Sequence, residues 1–306
     1  LTESSAVIVM VVAWIVALAR LTGIENEPLA VIIAFTPWFV VVAVLALALA
    51  IYARAWAAAG GALLLLVLHA WWLAPVFVGE ASGQAEFTVV TLNAEYGEAN
   101  ATEIVQMVED TGADILSIQE LTPSLVEELV KAGLGAHLPF SATKPETNHA
   151  GVGLWSRTQI TRWTALDELS SWAIRAEMGT DAGEVTVYAV HPLPPMPTSQ
   201  ARWDEDLQAL IDVVSEAAGP VIVAGDFNTT RDHAVFRELE ALGFVDESDE
   251  AGAGLQFTFP QGGPLPPLVA IDHVLTRESP WVAVGVRTVV ISGTDHRALV
   301  VDYAAR

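Results

Sequence analysis

The stretch Val-Ile-Val-Ala-Gly-Asp-Phe-Asn at 221–228 places a carboxylate, Asp226, and a carboxamide, Asn228, directly after four apolar residues and a glycine. The apolar part reads as a buried strand that ends at the glycine. A side-chain period of two puts Asp226 and Asn228 on one face and Phe227 on the other. An acid and an amide aimed together from a strand end can hold a water, a hard cation or a phosphoryl oxygen. Taken alone, the pair reads equally well as an Asx turn. The pattern recurs, however. Asn93 follows a β-rich run at 87–92, and Glu120 ends Asp-Ile-Leu-Ser-Ile-Gln-Glu at 114–120. His191 follows the run at 184–190, Asp272 and His273 lie in 269–275, and Asp295 and His296 precede 298–303. Six strand ends or nearby turns thus carry Asn, Asp, Glu or His, the residue types that bind hard cations or move protons. The sites of layered α/β proteins gather at one edge of their sheets, so the six are expected to form one site.

The elements that must carry these residues are strands near 151–156, 160–166, 171–178, 184–190, 221–225, 269–275, 281–291 and 298–303, besides the two that end at Asn93 and Glu120. Helices are expected at 99–111, at 122–132 with Pro123 in the first turn, at 200–217 and at 232–242. Helices separate some strands and hairpins fill the middle, which predicts an α/β sandwich with mixed sheets rather than a regular doubly wound sheet. The run His-Pro-Leu-Pro-Pro-Met-Pro at 191–197 is a stiff loop after a strand.

The chain of 306 residues divides sharply by composition. Residues 1–79 carry only Arg20, Arg54, Glu3, Glu25 and Glu27, and the remainder carries 12 Lys and Arg against 34 Asp and Glu, a net of -22. Three apolar runs, 5–21, 29–52 and 60–78, account for the mean hydropathy of +0.45. Each approaches the roughly 20 residues needed to cross a hydrocarbon core, so the expectation is a membrane domain of three transmembrane helices at 1–79. A polar linker at 80–86 and a second domain at 87–306 follow. Trp14, Trp38, Trp56, Trp71 and Trp72 are candidate interfacial anchors. Arg54 in the loop at 53–59 places that loop in the cytoplasm and the second domain outside, in a multi-pass arrangement at the cell membrane. With no cysteine, disulfides and thiolate chemistry are excluded.

In order, Val-Thr-Leu-Asn93, Ile-Gln-Glu120, Val-His191, Gly-Asp226-Phe-Asn228, Ile-Asp272-His-Val and Thr-Asp295-His296-Arg resemble the motifs of the endonuclease/exonuclease/phosphatase superfamily. Gly153-Leu-Trp-Ser-Arg157 resembles the family's strand ending in Ser-Arg. The resemblance spans about residues 86–304 and implies a DNase I-like four-layer α/β sandwich that hydrolyses a phosphoester by in-line attack of water. Glu120, an acid at the end of a buried strand, suits Mg²⁺ or Mn²⁺. The resemblance implies that Asn93 and Asp295 join it, directly or through water. It further implies Asp226 as the base for water, Asn228 as a donor to the phosphoryl oxygen, His191 and His296 flanking the phosphate, and Asp272 behind His296. Whether Asp226 and Asn228 hold a second metal stays open.

The other histidines carry less. His273 should face away from Asp272, and His149 lies in a loop near the site. His137 and His233 read as surface or packing residues, and His69 as a polar contact within a membrane helix. Trp155, Trp163, Trp172 and Trp203 read as core rather than as a base-stacking platform. No Walker loop, Gly-x-Ser-x-Gly, zinc-type cysteine pattern or HExxH occurs. Basic residues are scattered singly in an acidic domain, which disfavours nucleic acid, whose phosphates demand Lys and Arg. The favoured partners are therefore a phosphoester substrate, a lipid head group or small molecule, and the bilayer. The alternatives are an extracellular nuclease and a catalytically silent subunit of a membrane complex.

Overall fold

The structure is a computed structural model that describes residues 2–79 and 83–306. The first apolar run folds as α1 (Thr2–Thr22). The second is not one helix but three pieces: α2 (Leu29–Ile33), a 3₁₀ turn at Thr36–Trp38, and α3 (Phe39–Tyr52). Pro37 accounts for the break, since it lacks an N–H and disfavours helical backbone in the residue before it. The third run folds as α4 (Trp56–Phe77) with Pro75 in its last turn. Among the described residues only α4 is both long and apolar enough to cross a membrane; Val7–Thr22 and Thr36–Tyr52 are shorter apolar helices. The three equivalent spans expected from the sequence are thus not supported by length. Of the expected linker, residues 80–82 lie outside the described residues.

The remaining elements, in chain order, are β1 (Phe87–Asn93), α5 (Ala101–Thr111), β2 (Ile115–Gln119), α6 (Pro123–Ala132), β3 (Phe140–Lys144), β4 (Val152–Ser156), β5 (Ile160–Leu166), β6 (Ala173–Thr180) and β7 (Gly183–Val190). They continue with α7 (Gln200–Ser215), β8 (Val221–Asp226), α8 (Ala234–Ala241), β9 (Val245–Asp246), α9 (Glu247–Glu250), β10 (Asp272–Arg277), β11 (Trp281–Val290) and β12 (Arg297–Ala305). Two six-stranded mixed sheets result, β11-β12-β1-β2-β4-β3 and β5-β6-β7-β8-β10-β9. β1, β2, β4 and β8 are buried along their whole length, as apolar strands covered on both faces must be. Val89, Ile115 and Leu154 of one sheet share a core with Ile174, Val187 and Ile222 of the other. Ile104, Val108 and Leu125 of α5 and α6 cover the first sheet outside, and Trp203, Leu210 and Phe236 of α7 and α8 cover the second. Four layers follow: helices, sheet, sheet, helices.

Local signals fix the helix ends. Asn100 accepts from the N–H groups of Thr102 and Glu103 to start α5, which stops at Gly112 with φ 65°. Thr122 caps α6 with Pro123 in the first turn. Edge strand β5 leaves Trp163 exposed, which corrects its expected place in the core; Trp155 and Trp203 are buried. Trp172 is half-buried, with the Lys144 ammonium over its ring.

Where β7 and β8 run side by side, a Cβ on Gly225 would sit 2.0 Å from the Val190 carbonyl oxygen. Only glycine lets the parallel pair close one residue before Asp226. Gly225→Ala is therefore expected to lower the unfolding free energy by about 1–3 kcal/mol, the usual effect of overpacking. Calorimetry of the full chain checks this, and an unchanged midpoint would contradict it.

The helical segment is joined to the α/β body by close backbone contact. A Cβ on Gly79 would meet the Gly252 nitrogen at 2.2 Å, and the Gly254 N–H donates to the Val76 carbonyl. Between α1 and α2, the Glu25 carboxylate accepts the Ala234 N–H at 2.5 Å. Burial raises the Glu25 carboxyl from 4.5 to about 7; the Ala234 N–H and Arg237 oppose the rise, while Asp204 and Glu238 add to it. The folded chain thus holds this proton more tightly than the unfolded chain. Stability from Glu25 is full below pH 4.5, falls as pH rises to about 7, and then levels. Glu25→Gln is expected to flatten that part of the thermal-midpoint profile. A variant profile that falls as steeply as the wild type's would refute this.

Candidate active site

The topology brings the singled-out strand ends to one edge. β1 and β2 are parallel, as are β7 and β8, so Asn93, Glu120, His191 and Asp226 all leave carboxyl ends. β12 runs antiparallel to β1, and β10 antiparallel to β8 with Asp272 opposite Asp226. Their amino ends therefore deliver His296 and Asp272 to the same edge. The edges of the two sheets meet where Asn93 Nδ2 donates to Asp226 Oδ2 at 2.9 Å.

All eight singled-out residues fall into one connected set. Asn93 Nδ2 also donates to Glu120 Oε1 at 3.2 Å, and Asn93 Oδ1 accepts the Glu95 N–H at 2.9 Å. Glu120 Oε2 accepts the Tyr96 N–H at 2.8 Å. His191 Nε2 lies 3.7 Å from Asp226 Oδ2 and 3.9 Å from Glu120 Oε1, while its Nδ1–H donates to the His149 carbonyl at 3.2 Å. His296 Nδ1–H donates to Asp272 Oδ2 at 2.8 Å, and its Nε2 lies 3.7 Å from Asp226 Oδ2 and 3.9 Å from Asp295 Oδ1. Asn228 gives its backbone N–H to Asp226 Oδ1 at 2.8 Å and one amide N–H to the Pro192 carbonyl at 2.9 Å, leaving the second amide N–H. Asp226 is buried and faced by both imidazoles at distances too long for direct hydrogen bonds, a spacing that suits groups sharing a third atom.

Two of these residues adopt left-handed backbone that side chains rarely take: Glu120 at φ 55° and Asn228 at φ 48°. Such strain persists only where surrounding structure fixes it. Glu95 and Tyr96, at φ 44° and 53°, are similar and supply the two N–H groups that orient Asn93 and Glu120. Sequence reasoning missed them, because nothing in Ala-Glu-Tyr-Gly announces the turn. It also gave Thr294 no role of its own, although the Thr294 hydroxyl donates to the Asn93 carbonyl at 2.8 Å and accepts the His296 N–H at 3.1 Å. Phe259 packs its ring 5.0 Å from that of His296.

The electrostatics are dominated by carboxylates. Burial pushes the Asp226 carboxyl above the usual range; Asp272 adds to the rise, while His296 and His191 oppose it. Burial likewise raises Asp295, opposed by His296 and reinforced by Glu120 and Asp272. Burial pulls the His296 imidazole down, but Asp272 and Asp226 outweigh it and raise the group to about 10, so it is an imidazolium at neutral pH. Asp272 Oδ1 is buried without a hydrogen-bond partner. Asp272, Asp226 and Asp295 thus converge around the His296 imidazolium, with Glu120 beside His191, a donor set of hard oxygens that fits a divalent cation. Ligand atoms of Asp226, Asp272 and His296 come within 4.8 Å of one another. With its Nδ1–H committed to Asp272 and its proton held to about 10, His296 is a poor ligand. The oxygen donors are the better fit.

The remaining histidines sort clearly. His273 turns away from Asp272, as expected, and pairs with Asp246 at 2.7 Å. His149 reaches the site through its backbone. His69 Nδ1–H donates to the Leu65 carbonyl one turn back. His233, read as a surface or packing residue, is buried and packs edge-on against Trp203, and it adds polar contacts: Nε2–H donates to the Ala30 carbonyl at 2.9 Å, and Nδ1 accepts the Thr230 N–H at 3.0 Å.

A model of the Endonuclease/Exonuclease/phosphatase family matches residues 90–296, more than half of the chain. The chain belongs to the endonuclease/exonuclease/phosphatase family. The three activities in the family's name are all hydrolyses of phosphoester bonds. No curated protein matches the chain in sequence. Among solved structures, an endonuclease/exonuclease/phosphatase from Bacteroides vulgatus is similar at 16% identity and TM-score 0.56, covering 73% of this chain and 100% of its own. D. rerio TDP2 in a complex with single strand DNA product is similar at 14% identity and TM-score 0.56, covering 72% and 99%. A Leptotrichia buccalis family protein is similar at 10% identity and TM-score 0.56, covering 72% and 100%. At these identities the likeness is one of fold.

Proposed function

We propose that the chain is a membrane-anchored, divalent-metal-dependent phosphoesterase that hydrolyses a phosphodiester or phosphomonoester by in-line attack of water. The observation that carries this reading is the single contact set around Asp226, with an imidazole on either side and a carboxamide holding it. Asp226 takes the proton of the attacking water, its raised pKa making it a better base near neutral pH. His191 and His296 bracket the phosphate, and His296, kept protonated by Asp272, donates to the oxygen that gathers charge. Asn228 gives its remaining amide N–H to a phosphoryl oxygen. Glu120, Asp295 and Asn93, directly or through water, would hold Mg²⁺ or Mn²⁺, and the cation would supply Lewis-acid stabilisation of the phosphoryl charge.

Residues 1–79 form the membrane domain, 80–86 the linker and 87–306 the catalytic domain. Packing of the helices supports this division. Ala13, Ala17, Ala43, Ala46, Ala50, Ala58, Ala59 and Ala62 are buried between them, whereas Val11, Ile15, Val41, Leu45, Leu63 and Val67 are exposed on the outside. Small residues inward and large apolar residues outward is the packing of helices in lipid, the reverse of a water-soluble bundle. Tyr52 and Trp56 are exposed at one end, Trp38 and Trp71 at the other, in keeping with two interfacial belts. α4, at 22 residues, is about 33 Å long, enough to cross a hydrocarbon core. Arg20 is paired with Asp232, so Arg54 at the far end is left to set a multi-pass topology with the catalytic domain outside the cytoplasm.

The substrate favoured is a lipid head group, with a soluble phosphate compound behind it. Trp38 donates its indole N–H to the Leu268 carbonyl and stacks on Phe257 at 5.5 Å; two residues on, Phe259 touches His296. The site therefore lies close to the end of the bundle where a membrane surface would be. A nuclease is the second reading, favoured by the similarity to a TDP2 whose structure holds a DNA product, and opposed by the net charge of -22 beyond residue 79. Full-length protein in detergent and in vesicles, given a phospholipid panel, plasmid and single-stranded DNA with Mg²⁺ or Mn²⁺, separates the two. Phosphate or head-group release from phospholipid is expected. DNA cleavage with binding that weakens steeply in salt would overturn the lipid preference.

A further inference from the structure

The five residues Thr230–Ala234 leave the site directly after Asn228 and Thr229, and four of their polar partners lie in the helical segment, while Arg231 also pairs with Asp249 and the Asp232 carbonyl accepts from Arg237 in the α/β body. Arg20 Nε donates to Asp232 Oδ1 at 2.6 Å, both side chains being buried. The same guanidinium lies 4.0 Å over the Trp72 ring. Arg231 donates to the Trp72 carbonyl at 2.7 Å, His233 to the Ala30 carbonyl at 2.9 Å, and Ala234 to the Glu25 carboxylate at 2.5 Å. From the opposite side, His273 Nε2–H donates to the Thr229 carbonyl at 3.1 Å, its Nδ1–H held by Asp246 at 2.7 Å. The loop is thus clamped between β10 and helices α1, α2 and α4. An anchor that merely tethered a self-sufficient enzyme would need no buried ion pair beside its catalytic loop, where each charge loses its hydration.

We infer that the helical segment is part of the catalytic unit, with Arg20 a positioning residue that acts through Asp232 to hold the loop carrying Asn228 and, through the Asn228 N–H on Asp226 Oδ1, the orientation of the Asp226 carboxylate. This rests on the phosphoesterase reading for its kinetic part. The last turn of α1 and the catalytic edge are joined through these contacts, so a change in how α1 sits is transmitted to Asp226 by two residues and one short loop.

The test uses the full chain in detergent with bis-p-nitrophenyl phosphate, a soluble diester whose turnover does not depend on lipid. Asp232→Asn, Arg20→Lys and the double variant Arg20→Met with Asp232→Asn are compared with wild type. The double variant removes both charges and leaves none buried alone, so it is expected to fold. Its kcat is expected to fall about 10–10²-fold with KM nearly unchanged, the effect of a small misplacement of a catalytic group. Arg20→Lys, which keeps the charge, is expected to recover most of the loss. Amide hydrogen exchange at 227–233 is expected to quicken in the double variant and not in Arg20→Lys. A folded double variant with wild-type exchange at 227–233 overturns the inference whatever its activity, as does wild-type kcat. Inactive wild type instead overturns the phosphoesterase reading, and the exchange result then decides the positioning by itself.

Discussion

Asp226→Asn is expected to lower kcat for phosphoester hydrolysis by about 10²–10⁴-fold, the usual contribution of a general base. Asparagine fits the volume and can still accept the Asn228 N–H, but it cannot take a proton from water. KM should hardly move, because Asp226 meets the substrate through the attacking water. Stability should fall by no more than about 1–3 kcal/mol, because the new amide NH2 meets the Asn93 amide donor and loses that bond, while removal of a carboxyl that burial and Asp272 already disfavour as an anion offsets part of the loss. A kcat within a few-fold of wild type would contradict the role given to Asp226. A large fall in both kcat and thermal midpoint would instead mark it as a residue of the fold. The distinction matters because Asp226 also ties the two sheets together through Asn93.

Glu120→Ala is expected to abolish the response to metal. A cation that binds the native state alone at a hundred times its Kd stabilises it by about 2.7 kcal/mol. Wild-type protein should therefore show a raised thermal midpoint in millimolar Mn²⁺ or Mg²⁺, and the variant none. Activity should fall with it, since the converging acids then lack the charge that offsets their repulsion. If wild type shows no shift at millimolar metal, the chain is better described as a silent subunit whose helices serve a membrane partner. If the variant shifts as wild type does, the cation binds elsewhere in the acidic surface and Glu120 is not its ligand.

The site was legible because its residues follow continuous apolar strands. A buried strand must be apolar along its length, so an acid or imidazole at its end stands out, and the parallel pairs β1/β2 and β7/β8 guarantee that such ends share an edge. The start of α6 was legible for the same local reason, as Pro123 acts on neighbours within four residues. Contacts that span the chain were not legible. Arg20 and Asp232 are 212 positions apart, and His233 and the Ala30 carbonyl 203. No spacing rule links them, so Arg20 read as a loop-edge charge and His233 as packing. Pro37 interrupts the second apolar run in sequence, but composition alone does not show that the backbone around it divides the run into separate helices. The exposed Trp163 escaped for another reason: its strand is at a sheet edge, and edge position is a property of topology.

The most direct measurement is hydrolysis of bis-p-nitrophenyl phosphate by the full chain in detergent, first as purified with Mg²⁺ or Mn²⁺, then after chelation with EDTA, then after metal is restored, beside Asp226→Asn. The account predicts turnover that chelation removes, that metal restores, and that the variant lacks throughout. Turnover indifferent to EDTA, or equal in wild type and Asp226→Asn, would contradict it.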